Sequence, residues 1–223
     1  MNDIKMIVML TYHDQTVKNA IDVFESCRDL PVQDWGFKNI GLPTEEMKRL
    51  VALMKKEKKT TYMEVVTYTE KECLEAAKLA VECDFDYLMG TLYFESVHEV
   101  LKTAGLKYMP FCGTVWGNPS VLGHSVDEII ESAKELEAKG VFGTDILAYR
   151  FTGDANELLE RYIKEVDFRT VVAGSIDSYA KMDYMKELKP YGITMGSALF
   201  DKKFVPEGTF CDNLEVVYKY MEK

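Results

Sequence analysis

The chain has 223 residues, 47% hydrophobic and 12% aromatic, which is enough apolar material for the core of one barrel-sized domain. Its formal net charge of −10 opposes a nucleic-acid partner, because binding a phosphate backbone starts from a concentrated positive surface. No apolar run approaches the roughly 20 residues a membrane helix needs, so no membrane partner is expected either.

The opening residues, Met1-Asn2-Asp3-Ile4-Lys5, enter an apolar stretch without the basic start and cleavage site of a secretory signal. The five cysteines, Cys27, Cys73, Cys83, Cys112 and Cys211, are widely spaced and never CxxC. A cytoplasmic protein with reduced thiols is expected.

From there, apolar β-type runs alternate with helical periodicity, the pattern of a parallel α/β fold. Strands are expected at 5–11, 32–38, 61–67, 87–92, 108–113, 141–147, 170–173 and 193–195. Eight units in 223 residues come to about 28 residues each, the size of one βα repeat in a (β/α)8 barrel. Thr69-Glu70-Lys71-Glu72 and Ser125-Val126-Asp127-Glu128 fit the capping box at a helix start. Pro43-Thr44-Glu45-Glu46 opens another helix and Lys55-Lys56-Glu57-Lys58-Lys59 closes it, with charges that suit the helix dipole. Val126, Ile129, Ile130, Ala133 and Leu136 form a one-sided apolar stripe. Asp14 reads as the cap of the first helix. No linker or low-complexity stretch interrupts 1–223, so one domain is expected. The competing open, doubly wound sheet usually carries a Gly-rich first turn, and 11–15 has no glycine, so a closed (β/α)8 TIM barrel fits better.

Active-site groups in such a barrel project from the C-terminal strand ends. Lys38 ends the second run and Glu64 lies in the third; if both point inward, they form an acid–base pair or a structural ion pair. Asp145 interrupts the sixth run, as a second acid/base or a carboxylate bonded to a nearby turn, and Arg150 beyond it has the fork to bind a carboxylate or phosphate. His13 follows the first strand as a candidate general base. Trp116, flanked by Gly113 and Gly117 in the longest loop, is a candidate substrate cover. Cys112 reads as a small buried thiol. His13, His98 and His124 are isolated, so no metal site is expected, and nothing calls for a cofactor.

The runs 170–173 and 193–195 each stop at a Gly-Ser pair, Gly174-Ser175 and Gly196-Ser197. Glycine at adjacent strand ends exposes N–H groups to an anion. The arrangement resembles strands seven and eight of the ribulose-phosphate-binding (β/α)8 barrels, which include histidine and tryptophan biosynthesis enzymes and N-acetylmannosamine-6-phosphate epimerases. The resemblance implies that Gly174, Ser175, Gly196 and Ser197 bind a substrate phosphate, with Lys202 or Lys203 adding charge at the rim. Catalytic residues do not carry over: the strand-three Asp-x-Lys-x-x-Asp of the decarboxylases and the paired histidines of pentose-phosphate epimerases are missing, as is the strand-six Schiff-base lysine of several aldolases in other barrel families. The expected function is a phosphosugar isomerase or epimerase working by acid/base proton transfer. The alternatives are a carbon–carbon lyase on a sugar phosphate and a non-catalytic phosphometabolite binder. Assembly into a homo-oligomer stays open.

Overall fold

A strand sends alternate side chains to opposite faces, so closing a sheet into a barrel demands apolar partners both inside the ring and under the surrounding helices. The eight runs meet that demand. The computed structural model, which describes residues 4–222, arranges them as parallel strands β1 Lys5–Met9, β2 Asp34–Lys38, β3 Thr60–Val65, β4 Tyr87–Gly90, β5 Lys107–Met109, β6 Thr144–Ile146, β7 Thr170–Val172 and β8 Gly192–Met195. Their order in the sheet is β6-β7-β8-β1-β2-β3-β4-β5, with the last strand paired to the first at Lys5 and Gly192. Between β5 and β6 the ring is carried by the Phe142 N–H donating to Tyr108 O (2.9 Å), the Asp145 N–H donating to Pro110 O (3.0 Å) and one parallel bridge, Phe111–Asp145. The barrel is nearly closed, and the open-sheet alternative falls.

The returning helices are α1 Ala20–Cys27, α2 Thr44–Lys56, α3 Glu70–Glu82, α4 Glu95–Ala104, α5 Val126–Ala138, α6 Ala155–Glu165, α7 Tyr179–Leu188, the single turn α8 Ser197–Phe200, and α9 Phe210–Met221. Ser125 and Glu128 make the full reciprocal capping box at α5; Thr69 caps α3 by accepting the Glu72 N–H. A further box, Thr209 with Asp212, opens α9 and was not anticipated. The α5 stripe packs as expected, with Ile129, Ile130, Ala133 and Leu136 buried and Val126 partly so.

Six of the eight strands end one to four residues before the apolar run does, because the chain turns off into the loops of the barrel mouth. After β1, Thr11–Tyr12 pairs antiparallel with Gln15–Thr16, and the two turn residues between them, His13 and Asp14, adopt φ of 49° and 59°. Two successive left-handed residues make the tight hairpin turn that Asn, Asp and Gly favour. The expected helix cap at Asp14 is therefore wrong: α1 begins at Ala20, after Asn19.

Inside the ring, Ile7, Met9, Tyr62, Tyr87, Met89, Met109 and Val171 form a separate apolar cluster. At its floor, Tyr62 stacks on Tyr87 (4.3 Å between centroids) and donates its hydroxyl to the buried Asp34 (2.7 Å), which Lys5 also meets at 3.2 Å. This plug closes the N-terminal end. The polar groups of the opposite end are left facing the mouth.

Candidate functional site

Alternation decides what the mouth presents. On β2, Trp35 and Phe37 belong to the outer core, so Lys38 turns inward; on β3, Met63 and Val65 do the same and Glu64 turns inward. On β6, Thr144 bonds the Tyr162 hydroxyl of α6 (2.8 Å) and Ile146 joins the outer core, leaving Asp145 to the interior. Lys38 and Glu64 are level in the β2–β3 register, with Nζ 3.9 Å from Oε1. Lys38, whose side chain is only 3% exposed, also donates to Asp14 Oδ1 at 2.9 Å. Burial alone would raise the Asp14 pKa, but the hydrogen bond and charge of Lys38, followed by those of Arg150, hold it below the usual carboxylate range.

Asp145 is fully buried, and neither carboxyl oxygen has a hydrogen-bond partner among the described residues. Burial, and then the negative charge of Glu64, push its pKa well above the usual value, against a smaller opposing pull from Lys38 and Arg150. Burial therefore favours its neutral form.

Beside this group, the two Gly-Ser turns face each other across a cleft of about 220 Å³, which Asp14, Lys38, Glu64 and Arg150 also line. Gly174 and Ser175 both have positive φ, 83° and 60°. Lys181 fastens that turn from outside, donating to Ser175 O (2.6 Å) and to Asp177 (2.9 Å). Gly196 immediately precedes α8, whose first N–H groups, on Ser197 and Ala198, have no acceptor inside the helix. The reason for glycine at 196 differs from the expected one: a Cβ there would lie 2.9 Å from the carbonyl oxygens of Met9 and Thr11, so the fold itself requires the bare backbone. At Gly174, a Cβ would meet the Arg150 side chain at 3.3–3.4 Å.

Among solved structures, the chain is similar to orotidine 5′-phosphate decarboxylase from Pyrococcus horikoshii OT3, with a TM-score of 0.71 and 11% identity over 98% of this chain and 99% of that one. It is also similar to orotidine 5′-monophosphate decarboxylase from Methanocaldococcus jannaschii (0.70, 15%, 99% of both chains). A third is N-acetylmannosamine-6-phosphate 2-epimerase from Clostridium perfringens (0.64, 12%, 90% and 91%). The chain shares the (β/α)8 barrel fold of these proteins. No protein-family model and no curated protein matches the sequence. At such identities the likeness is one of backbone. The structural neighbours include decarboxylase, epimerase and isomerase enzymes, and the likeness leaves the specific reaction open.

Of the residues singled out from sequence, Lys38, Glu64 and Arg150 come together at the mouth, next to Gly174, Ser175, Gly196 and Ser197, while Asp145 is fully buried outside the cleft lining, near enough to feel the charges of Glu64, Lys38 and Arg150. Two others do not. His13 is exposed on the hairpin turn, stacked on Tyr12 with ring centroids 3.9 Å apart, and is absent from the cleft lining. The turn leaves it outside the cleft, apart from the other candidates. Trp116 is 45% exposed on a second hairpin, Thr114–Trp116 with Val121–Gly123, where its indole lies against Gly123 rather than over the cleft. Tyr68 ties that hairpin to the end of β3 by donating to Gly117 O (3.0 Å). Of the two rim lysines, Lys203 lines the cleft. Cys112 is buried, and burial pushes its pKa up to about 12, far from a reactive thiolate. Among the described residues no group of three or more His, Cys, Asp or Glu is placed to hold a metal ion.

Sequence reasoning missed two members. Asp14 binds Lys38 and Arg150. Thr11, 7% exposed in the cleft wall, has a hydroxyl with no partner among the described residues. The His13-Asp14 pair was the available signal for Asp14, since a turn with two left-handed residues directs the Asp side chain back over the strand end. Nothing in sequence flagged Thr11.

Proposed function

We propose that the protein is an enzyme that isomerises or epimerises a small phosphorylated carbohydrate by moving a proton beside a carbonyl. The observation that carries this reading is the Lys38–Glu64 pair, 3.9 Å apart and opening on the same cleft as the two Gly-Ser turns. In this reading, the N–H groups of Gly174-Ser175 and Gly196-Ser197 hold the phosphate. Glu64 removes the proton and returns it to the neighbouring carbon, Lys38 stabilises the oxyanion that develops on the carbonyl, and Asp145, buried outside the cleft lining, acts only through its electrostatic coupling to Glu64. The cleft volume of about 220 Å³ suits a compact ligand. Among the described residues its lining contains no aromatic ring to stack on a base.

A carbon–carbon lyase is the second reading, favoured by the burial of Lys38 between two carboxylates, where an ammonium is available to protonate a carbanion left by cleavage. A Schiff-base route fits less well, because a lysine engaged by Asp14 at 2.9 Å is not presented as a free amine. The deciding experiment incubates the protein with a panel of ketose and aldose phosphates in D2O. Solvent deuterium in recovered or isomerised sugar supports proton transfer, carbon–carbon fragments support the lyase, and neither across the panel overturns both.

A further inference from the structure

Arg150 lies between the two halves of the cleft. Its Cγ, Cδ and Nε lie 3.3–3.4 Å from the position of a Cβ on Gly174, so the side chain emerges along the Gly174-Ser175 turn. Its two terminal nitrogens then reach back to a single atom, Asp14 Oδ1, each at 3.2 Å. That oxygen also accepts the Lys38 ammonium at 2.9 Å, while Asp14 Oδ2 accepts nothing among the described residues. Guanidinium pairs best with two oxygens at once, in parallel bonds of roughly 2.7–2.9 Å. Here three N–H groups crowd one oxygen and the Arg150 bonds are long. The fork is poorly used by the partner it has.

We propose that Arg150 exchanges partners when a ligand binds, leaving Asp14 for two oxygens of a phosphate held at the Gly174-Ser175 turn. Asp14 keeps its shorter bond to Lys38, so it remains anchored while Arg150 moves. Asp14 is thus a resident anion that competes with the ligand, and phosphate arrival changes the company of Lys38, the neighbour of Glu64. The cost of the exchange is two long bonds on a partly exposed side chain, 25% exposed in the structure. The gain is a two-oxygen grip on a dianion. The inference rests on the reading that the Gly-Ser turns hold phosphate and adds to it a mobile arginine and its internal competitor.

The test measures inorganic phosphate binding at low ionic strength, by calorimetry and 31P line broadening, for the wild type, Asp14→Asn, Arg150→Gln and the double variant, each checked for fold by circular dichroism. Exchange predicts that Asp14→Asn tightens phosphate binding about tenfold, that Arg150→Gln weakens it about tenfold, and that the gain disappears when Arg150 is Gln. Tightening is an outcome that structural damage does not produce. An equal gain in the Arg150→Gln background would show a general charge effect and overturn the exchange, as would weaker binding by Asp14→Asn; in both cases the turns would still be phosphate sites. No phosphate binding by the wild type would overturn the exchange together with the reading beneath it. If Asp14→Asn does not fold, Arg150→Gln carries the test alone, and an unchanged affinity refutes the proposal.

Discussion

Lys38 on β2 and Glu64 on β3 are register partners in adjacent parallel strands, and their charged atoms lie 3.9 Å apart in the barrel mouth. A pair at this depth interacts through a medium less polarisable than water. Glu64→Gln keeps the shape and removes the proposed base. It is expected to lower kcat by about 10²- to 10⁴-fold on whichever sugar phosphate the D2O panel identifies, with a native circular dichroism spectrum. Lys38→Met leaves the carboxylates of Asp14 and Glu64 without their shared cation, and is expected to cost about 3–5 kcal/mol of stability as well as activity. Denaturant titration alongside the rate assay separates the two effects. Full activity in a folded Glu64→Gln protein removes Glu64 from the chemistry.

The two aspartates predict opposite pH dependences. Asp145 has a raised folded-state pKa, so above the ordinary carboxylate range the unfolded chain loses a proton that the folded protein keeps, and stability falls as pH rises. Asp14 has a lowered one, so its contribution is present above the ordinary value and is lost as pH falls through the folded-state value. Relative to wild type, Asp145→Asn should gain stability from pH 4 to pH 8, whereas Asp14→Asn should lose stability at pH 8 and approach wild type in acid. Thermal melts across that range check both signs, and matching slopes for the two variants would contradict the assignment.

Gly174 and Gly196 are expected to fail differently. A side chain at 196 meets two carbonyl oxygens at 2.9 Å, so Gly196→Ala should destabilise the fold by about 1–3 kcal/mol or more. Alanine at 174 has to adopt φ near 83°, costing about 1–2 kcal/mol, and presses on the stem of Arg150, so its larger effect should be on phosphate affinity. Comparing chemical denaturation with phosphate titration for the two variants distinguishes a fold glycine from a site glycine.

Asn213 supports the rim from behind. It is fully buried in α9 and makes four hydrogen bonds: its Oδ1 accepts the N–H groups of Phe204 (3.0 Å) and Val205 (2.8 Å), and its Nδ2 donates to Val205 O (3.0 Å) and Thr209 O (2.9 Å). The loop it pins carries Lys203 to the cleft. Asn213→Leu leaves buried backbone groups unpaired at about 1–3 kcal/mol each, so loss of stability is expected together with faster amide exchange at Phe204 and Val205. Hydrogen exchange at those two amides reads the effect directly.

Much of this architecture is written locally. Eight apolar runs separated by helical periodicity, the Ser125 capping box and the two Gly-Ser pairs are signals that span a few residues, and each depends on backbone geometry and nearest neighbours that the sequence contains in full. The inward turn of Lys38 and Glu64 also follows from strand alternation once the strands are known. What the tertiary structure alone decided is the company these groups keep. Asp14 looked like a helix cap because its neighbours in sequence allow one; its partners, Lys38 and Arg150, lie 24 and 136 residues away, and only closure of the barrel brings them to it. His13, one residue earlier, is turned out to solvent by the same hairpin, and Trp116 is carried away from the cleft by the pairing of its own loop. Gly196 is glycine because the end of β1 passes against it, a contact between opposite ends of the chain. Secondary structure answers to local stereochemistry, while charge pairing, burial and close backbone approach are fixed by long-range packing, which no short window of sequence records.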